Sequence, residues 1–159
     1  MEPPIDLGYR LIGKTEKLKI EHPVSFGGNV ILYANEEISI GRCTMIAINS
    51  ILHTTTHNHE MHPMWHQRID RPIKIGRHVW IGVGSIILPG VIIEDYAVVA
   101  GGSVVAHNVP KGAIVGGNPA RIIKYRNSYP DNDTIKTFYD AEIIRKGCLD
   151  QYCKNSSSL

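Results

Sequence analysis

Between Ile75 and Val109 an aliphatic residue recurs at every sixth position: Ile75, Ile81, Ile87, Ile93, Val99 and Val105. Strand side chains repeat with period 2 and helix side chains with period 3.6, so neither element alone places an aliphatic residue on every sixth step. A coil whose turns have three flat sides of six residues does. Each opening residue then points into a narrow prism and stacks on its equivalents in the turns above and below. The pattern predicts an all-β fold, a parallel β-helix in which each turn buries its face only against its neighbours.

The same period is present at Ile40, Ile46 and Leu52, and it is poor before Ile40, where steps of six fall on Ala34, Gly28 and His22. Imperfect early turns are expected. Between His57 and Pro72 the period fails altogether over a stretch containing His57, His59, Glu60, His62, Trp65, His66 and Arg68. A polar insertion between regular turns is expected to protrude as a loop near 57–72 while the coil resumes beyond it. Three segments follow: an N-terminal arm over 1–19 with an edge strand near Tyr9–Ile12, the coil over 20–125, and a C-terminal helical tail over 126–159. In that tail Asp133 can cap a helix from about Thr134 to Lys146, ended by Gly147. Its apolar face requires a partner, and bracing of the coil or of a neighbouring subunit is the favoured use.

The 159 residues suffice for one domain with a real core, which the scarcity of Phe and Trp predicts to be aliphatic. A formal charge of +2 argues against nucleic acid as the main partner. No N-terminal run reads as a signal peptide and no apolar run reaches membrane-spanning length. The odd set Cys43, Cys148 and Cys153 suggests reduced thiols. A cytoplasmic chain without membrane insertion is the expectation.

His57 stands where regular coil gives way to the insertion. An imidazole beside a cleft can take a proton from a hydroxyl or amine as it attacks a carbonyl, with no metal and no protein nucleophile. Ile75 lies one eighteen-residue turn onward, so Trp80 is expected close to His57 along the axis. His59 and His62 are near enough in sequence to reach the acceptor or to replace His57 as the base. His53, His66 and His78 read as solvated loop or coil histidines.

The run IGRCTMIAINSILHTTTHN resembles the maltose, galactoside and nodulation acetyltransferases, and the run from PIKIGRHVWIG through GNPARIIK resembles the signature of the hexapeptide-repeat acyltransferases. The resemblance covers roughly 24–125. It implies a left-handed parallel β-helix, a homotrimer with active sites between subunits, and direct transfer from acetyl-CoA without an acyl-enzyme. The general base of the family falls on His57, with Asn58 replacing the usual proline. Asn29 falls on an acceptor-binding asparagine, and Trp80 belongs to the WIG segment that borders the cleft.

For the cofactor, the small residues Gly82, Gly84, Ala100, Gly101 and Gly102 leave bare backbone along which a pantetheine arm can lie, although glycines also make coil corners compact. Ser103 can add a hydroxyl contact, and Arg121, with Lys124 as a looser candidate, can meet a cofactor phosphate. Ala106-His107 replaces the family's frequent Thr-Lys and removes one cation from that end.

The favoured acceptor is a sugar hydroxyl on a carbohydrate or nucleotide-linked sugar. N-acetylation of a nucleotide-linked aminosugar is the runner-up. Two readings come from other classes. One is a gamma-type carbonic anhydrase with zinc held by histidines drawn from His53, His57, His59, His62 and His78; the other is a non-catalytic trimeric scaffold.

Overall fold

A computed structural model describes residues 8–128. The chain divides into two units, residues 1–126 and 127–159, and only the first is described below. The helix expected over 134–146 lies outside the described residues.

The described residues form a left-handed parallel β-helix. Its first turn comprises β1 (Tyr9–Gly13), β2 (Leu18–Ile20) and β3 (Val24–Phe26), and the second β4 (Val30–Ala34), β5 (Ile38–Ile40) and β6 (Thr44–Ile46). The third begins with β7 (Ile51–His53), leaves the coil as β8 (Thr55–His57) and β9 (Arg68–Asp70), and returns as β10 (Ile73–Ile75) and β11 (Trp80–Ile81). Then come β12 (Ile86–Ile87), β13 (Ile92–Ile93) and β14 (Val98–Val99), followed by β15 (Val104–Val105), β16 (Ala113–Gly117) and β17 (Ala120–Tyr125).

Equivalent strands stack into three faces. The first holds β1, β4, β7, β12 and β15; the second β2, β5, β10 and β13; the third β3, β6, β11, β14 and β16, closed by β17 running antiparallel. The inward aliphatic column is continuous: Leu32, Ile38, Leu52, Ile73, Ile81, Ile87 and Val99 are fully buried. Each such side chain contributes roughly 1.5–3 kcal/mol when buried.

The register explains the poor early phase. Ile75 pairs with Ile93 eighteen residues on, but Leu18 pairs with Ile38, and Val24 with Thr44, at steps of twenty. Two extra residues, or three between Tyr9 and Val30, are absorbed per early turn at the corners. The coil also starts earlier than the boundary drawn after residue 19: β1 pairs with β4 from Tyr9↔Val30 to Gly13↔Ala34, so residues of the expected arm already form a turn.

The insertion is more ordered than a loop. β8 and β9 form an antiparallel ribbon with pairs Thr55↔Asp70, Thr56↔Ile69 and His57↔Arg68, and a single 3-10 turn, Met64–His66, lies in its connection. This hairpin leaves from the corner between the first and second faces, opposite the third face. Among the described residues no helix is long and apolar enough to cross a membrane.

Candidate active site

His57 ends β8, where its ring is exposed to solvent. Its Nδ1 lies 3.0 Å from the Met64 carbonyl. A carbonyl only accepts, so Nδ1 carries the proton and Nε2 presents its lone pair outward. That is the tautomer a general base requires. The orienting oxygen comes from the 3-10 turn, and the connection is closed beneath it by Asn58 N–H donating to Gln67 O at 2.9 Å.

The ribbon is fastened to the coil by a polar chain. Asn35 Nδ2 donates to Thr55 Oγ1 at 2.9 Å, and Thr55 Oγ1 donates to Asp70 Oδ1 at 2.6 Å. Asp70 Oδ2 accepts from Arg68 Nε at 2.9 Å and from Arg68 Nη2 at 2.7 Å. The Thr55 hydroxyl, followed by the Arg68 guanidinium, holds the Asp70 carboxyl below the usual carboxylate range. Tyr33 stacks on His53, with ring centroids 4.4 Å apart, so His53 packs against the coil instead of standing free in solvent.

The other candidates gather on a different edge, the corner between the third and first faces. Its successive turns place Asn29, Asn49, Gly84 and Gly102 in the left-handed region, with φ of 49°, 62°, 64° and 70°. Asparagine and glycine tolerate that conformation best. Asn29 Nδ2 donates to Asn49 Oδ1 at 2.6 Å, which turns the two early positions into an exposed amide pair. A Cβ on Gly84 or Gly102 would meet nothing within 4 Å, so the later turns leave the corner open.

Two expectations about this corner need correction. Gly82 is buried, and a Cβ there would sit 2.5 Å from Gly101 N; it serves the approach of one turn to the next. Ser103 is fully buried, donates to Ala100 O at 2.5 Å and accepts from Gly117 N at 3.3 Å, so its hydroxyl is turned inward. The amides of Gly82, Gly84, Ala100 and Gly102 all donate within the coil, and the carbonyls of Gly82 and Ala100 accept from buried serines. What the corner presents outward is space more than backbone polarity. Gly101 is exposed, with Val83 beside it.

Arg121 and Lys124 are exposed on β17, opposite Gly116 and Ile114 of the last strand of the third face, and Arg121 Nη1 donates to the neighbouring Ala120 carbonyl at 3.0 Å. The space at Gly84 and Gly102 is wide enough to admit a slender chain, whereas a Cβ on Gly101 would sit 3.0 Å from Val83 Cγ1. The residues fit a coenzyme A thioester.

Trp80 does not approach His57 as the eighteen-residue step suggests, because the insertion carries His57 off the coil. It lies half-exposed on the third face between Met45 and Val98. His59 Nε2 pairs with Glu60 Oε1 at 3.0 Å in full solvent, and His62 is exposed beside it. His78 stacks on Tyr96 at the corner between the second and third faces, away from the hairpin, and burial with Arg42 nearby pushes its pKa down. Among the described residues no three His, Cys, Asp or Glu side chains of one chain converge as metal ligands.

Sequence reasoning missed Met64, Trp65, Asn35, Thr55, Asp70 and Asn49. Only Asn49 left a usable signal, one twenty-residue turn from Asn29. Trp65, on the turn that holds His57, is 71% exposed.

The family described as bacterial transferase hexapeptide (six repeats) matches residues 72–107. The galactoside O-acetyltransferase of Escherichia coli is 33% identical over 144 residues, covering 80% of this chain and 69% of the relative. The Bacillus subtilis protein YvoF is 40% identical over 109 residues, covering 67% of this chain and 60% of the relative. The chain thus spans about two thirds of the length of these relatives. A solved galactoside acetyltransferase in complex with coenzyme A matches with a TM-score of 0.68 and 27% identity, over 83% of this chain and 66% of that one. The hexad column, the open glycine corner and these matches together place the chain in the hexapeptide-repeat acetyltransferase family.

Proposed function

We propose that this protein transfers an acetyl group from acetyl-CoA to a sugar hydroxyl, with His57 as general base. The observation that carries the reading is the His57 ring, fixed through Nδ1 on the Met64 carbonyl with Nε2 outward. The named activity of the galactoside relative supports the acceptor class, and the coenzyme A complex of its structural counterpart supports the donor.

The thioester supplies an activated acyl carbon. Nε2 takes the hydroxyl proton as the acceptor oxygen bonds to that carbon, and the C–S bond breaks; the imidazolium then returns the proton to the departing sulfur. Gly84 and Gly102 leave room for the pantetheine beside the exposed backbone of Gly101, Arg121 and Lys124 face its phosphates, and Asn29 with Asn49 can orient the acceptor hydroxyls. Because His57 leaves from one corner of the prism and the open glycines line another, a homotrimer with sites between adjacent subunits is the arrangement that brings base and donor together.

The test is free-thiol release from acetyl-CoA across a panel of sugars, aminosugars and nucleotide-linked sugars, for wild type and His57→Ala. A sugar-dependent rate that falls roughly 10²–10⁴-fold in the variant, with coenzyme A binding retained, is expected. An aminosugar turned over in preference to every hydroxyl acceptor sinks the O-acetyl assignment, and an undiminished rate in His57→Ala sinks the base.

A further inference from the structure

The hairpin raises a physical problem that the coil does not. A two-stranded ribbon is marginal on its own, and this one has three ladder pairs. Yet His57 keeps its tautomer only while the strand that carries it and the turn that carries Met64 hold their relative position. Something must fix the ribbon near the coil. Side chains alternate across a strand, so Thr55 and His57 share one face of β8, and their cross-strand partners Asp70 and Arg68 share the same face of β9. On that face the directly opposed residues are close enough for their side chains to interact.

Asp70 occupies the centre of this arrangement. Its Oδ1 receives the Thr55 hydroxyl at 2.6 Å, and Thr55 in turn receives the Asn35 amide from the preceding turn at 2.9 Å. Its Oδ2 receives two N–H groups of Arg68 at 2.9 and 2.7 Å. The carboxylate thereby ties β8, β9 and the coil at one point, with its side chain 22% exposed. It also engages the guanidinium of Arg68, the residue directly opposite His57 in the ribbon, from two residues further along β9.

The structure assigns Asp70 as a positioning residue for His57: by fastening Thr55 and Arg68 it fixes the strand that carries the ring relative to the Met64 carbonyl. This rests on the reading of His57 as base. It makes Asp70 no ligand of either substrate.

The test pairs kinetics with a direct probe of the ring. Asp70→Asn keeps size and an acceptor for Thr55 while losing the charge, and Asp70→Ala loses both. With histidine labelled by nitrogen-15, the His57 signals are identified as those missing from His57→Ala, and their shifts read the tautomer without any turnover. The expected result is kcat down roughly ten- to a hundred-fold with KM for acetyl-CoA unchanged, larger for Ala than for Asn, and loss of the dominant Nδ1–H form. If Asp70→Ala fails to fold, Asp70→Asn carries the same two readouts. An unchanged His57 tautomer in a folded variant overturns the assignment, as does a rise in KM at constant kcat. A changed tautomer in Asp70→Asn together with full activity in His57→Ala would retain the positioning and discard the base, so the two readings fail separately.

Discussion

The two corners that carry candidate site residues are built on opposite principles. At the corner between the third and first faces four successive turns each carry a left-handed residue, and in the last three a buried serine follows it and bonds to coil carbonyls. At the corner between the first and second faces the repeat is broken once, by a ribbon that no neighbouring turn copies. Repetition gives the first corner rigidity from stacking on both sides. The second must be held by its own polar contacts, and it is there that the candidate base stands. A solenoid can thus keep one corner uniform along its length and carry a single histidine on another by interrupting itself.

The largest expected difference between the regions is in stability. Ile81→Ala removes a fully buried member of the inward column and should cost about 2–5 kcal/mol by denaturant titration. Ile69→Ala, on the partly buried ribbon, should cost less than about 1 kcal/mol. Equal losses would mean that the ribbon belongs to the core and that the contrast is false.

Within the glycine corner the contrast sharpens to neighbouring positions. A Cβ on Gly82 meets backbone at 2.5 Å, and the two turns must separate to admit it, so Gly82→Ala should destabilise by about 1–3 kcal/mol. Gly84→Ala meets nothing within 4 Å and carries only the strain of its φ of 64°, about 1 kcal/mol. Its effect should appear instead as a raised KM for acetyl-CoA, since the methyl projects into the open groove. A Gly84→Ala enzyme with unaltered KM would show that the thioester arm lies elsewhere.

A smaller effect is expected from pH. Asp70 is held below the usual carboxylate range by the Thr55 hydroxyl and then Arg68, and Glu21 by its hydrogen bond from Arg77. A carboxyl whose folded pKa is depressed stabilises the fold above its unfolded pKa, and that contribution disappears as pH falls through the lower folded value. The window therefore opens below about pH 4. Because Asp70 is less exposed than Glu21, at 22% against 46%, Asp70→Asn should flatten the acid limb of thermal stability more than Glu21→Gln. The reverse order would place the more important ion pair on the coil.

How far each corner was legible in the sequence follows from the same contrast. The coil announces itself because Ile75, Ile81, Ile87, Ile93, Val99 and Val105 must all enter one prism, and a repeated steric demand leaves a repeated letter. The left-handed corner positions are legible for a similar reason, as Gly84 and Gly102 share one φ constraint. The letters alone do not separate two uses of a small residue: Gly82 and Ser103 are compatible with a cofactor contact, while in the coil Gly82 admits the neighbouring turn and the Ser103 hydroxyl bonds inward. The hairpin was read only as an interruption. Its ribbon depends on cross-strand pairs, and nothing in the order of Thr55, His57, Arg68 and Asp70 along the chain reveals that the carboxylate reaches back past the insertion to the threonine.

The smallest expected effect decides which histidine the interruption exists to hold. His59 and Glu60 form a pair whose side chains are 82% and 80% exposed, a geometry that ordinarily adds little to stability. His59 stands two residues beyond His57, and its ring pairs with the Glu60 side chain, whereas the His57 ring lies on a backbone carbonyl of the 3-10 turn. His59→Ala should therefore leave kcat within about two-fold of wild type and change stability by less than roughly 0.5 kcal/mol in a thermal melt. A collapse of kcat in His59→Ala, beside an active His57→Ala, would move the base by two residues along the connection. The Met64 carbonyl would then hold a bystander, and the orientation of the His57 ring would lose its chemical meaning.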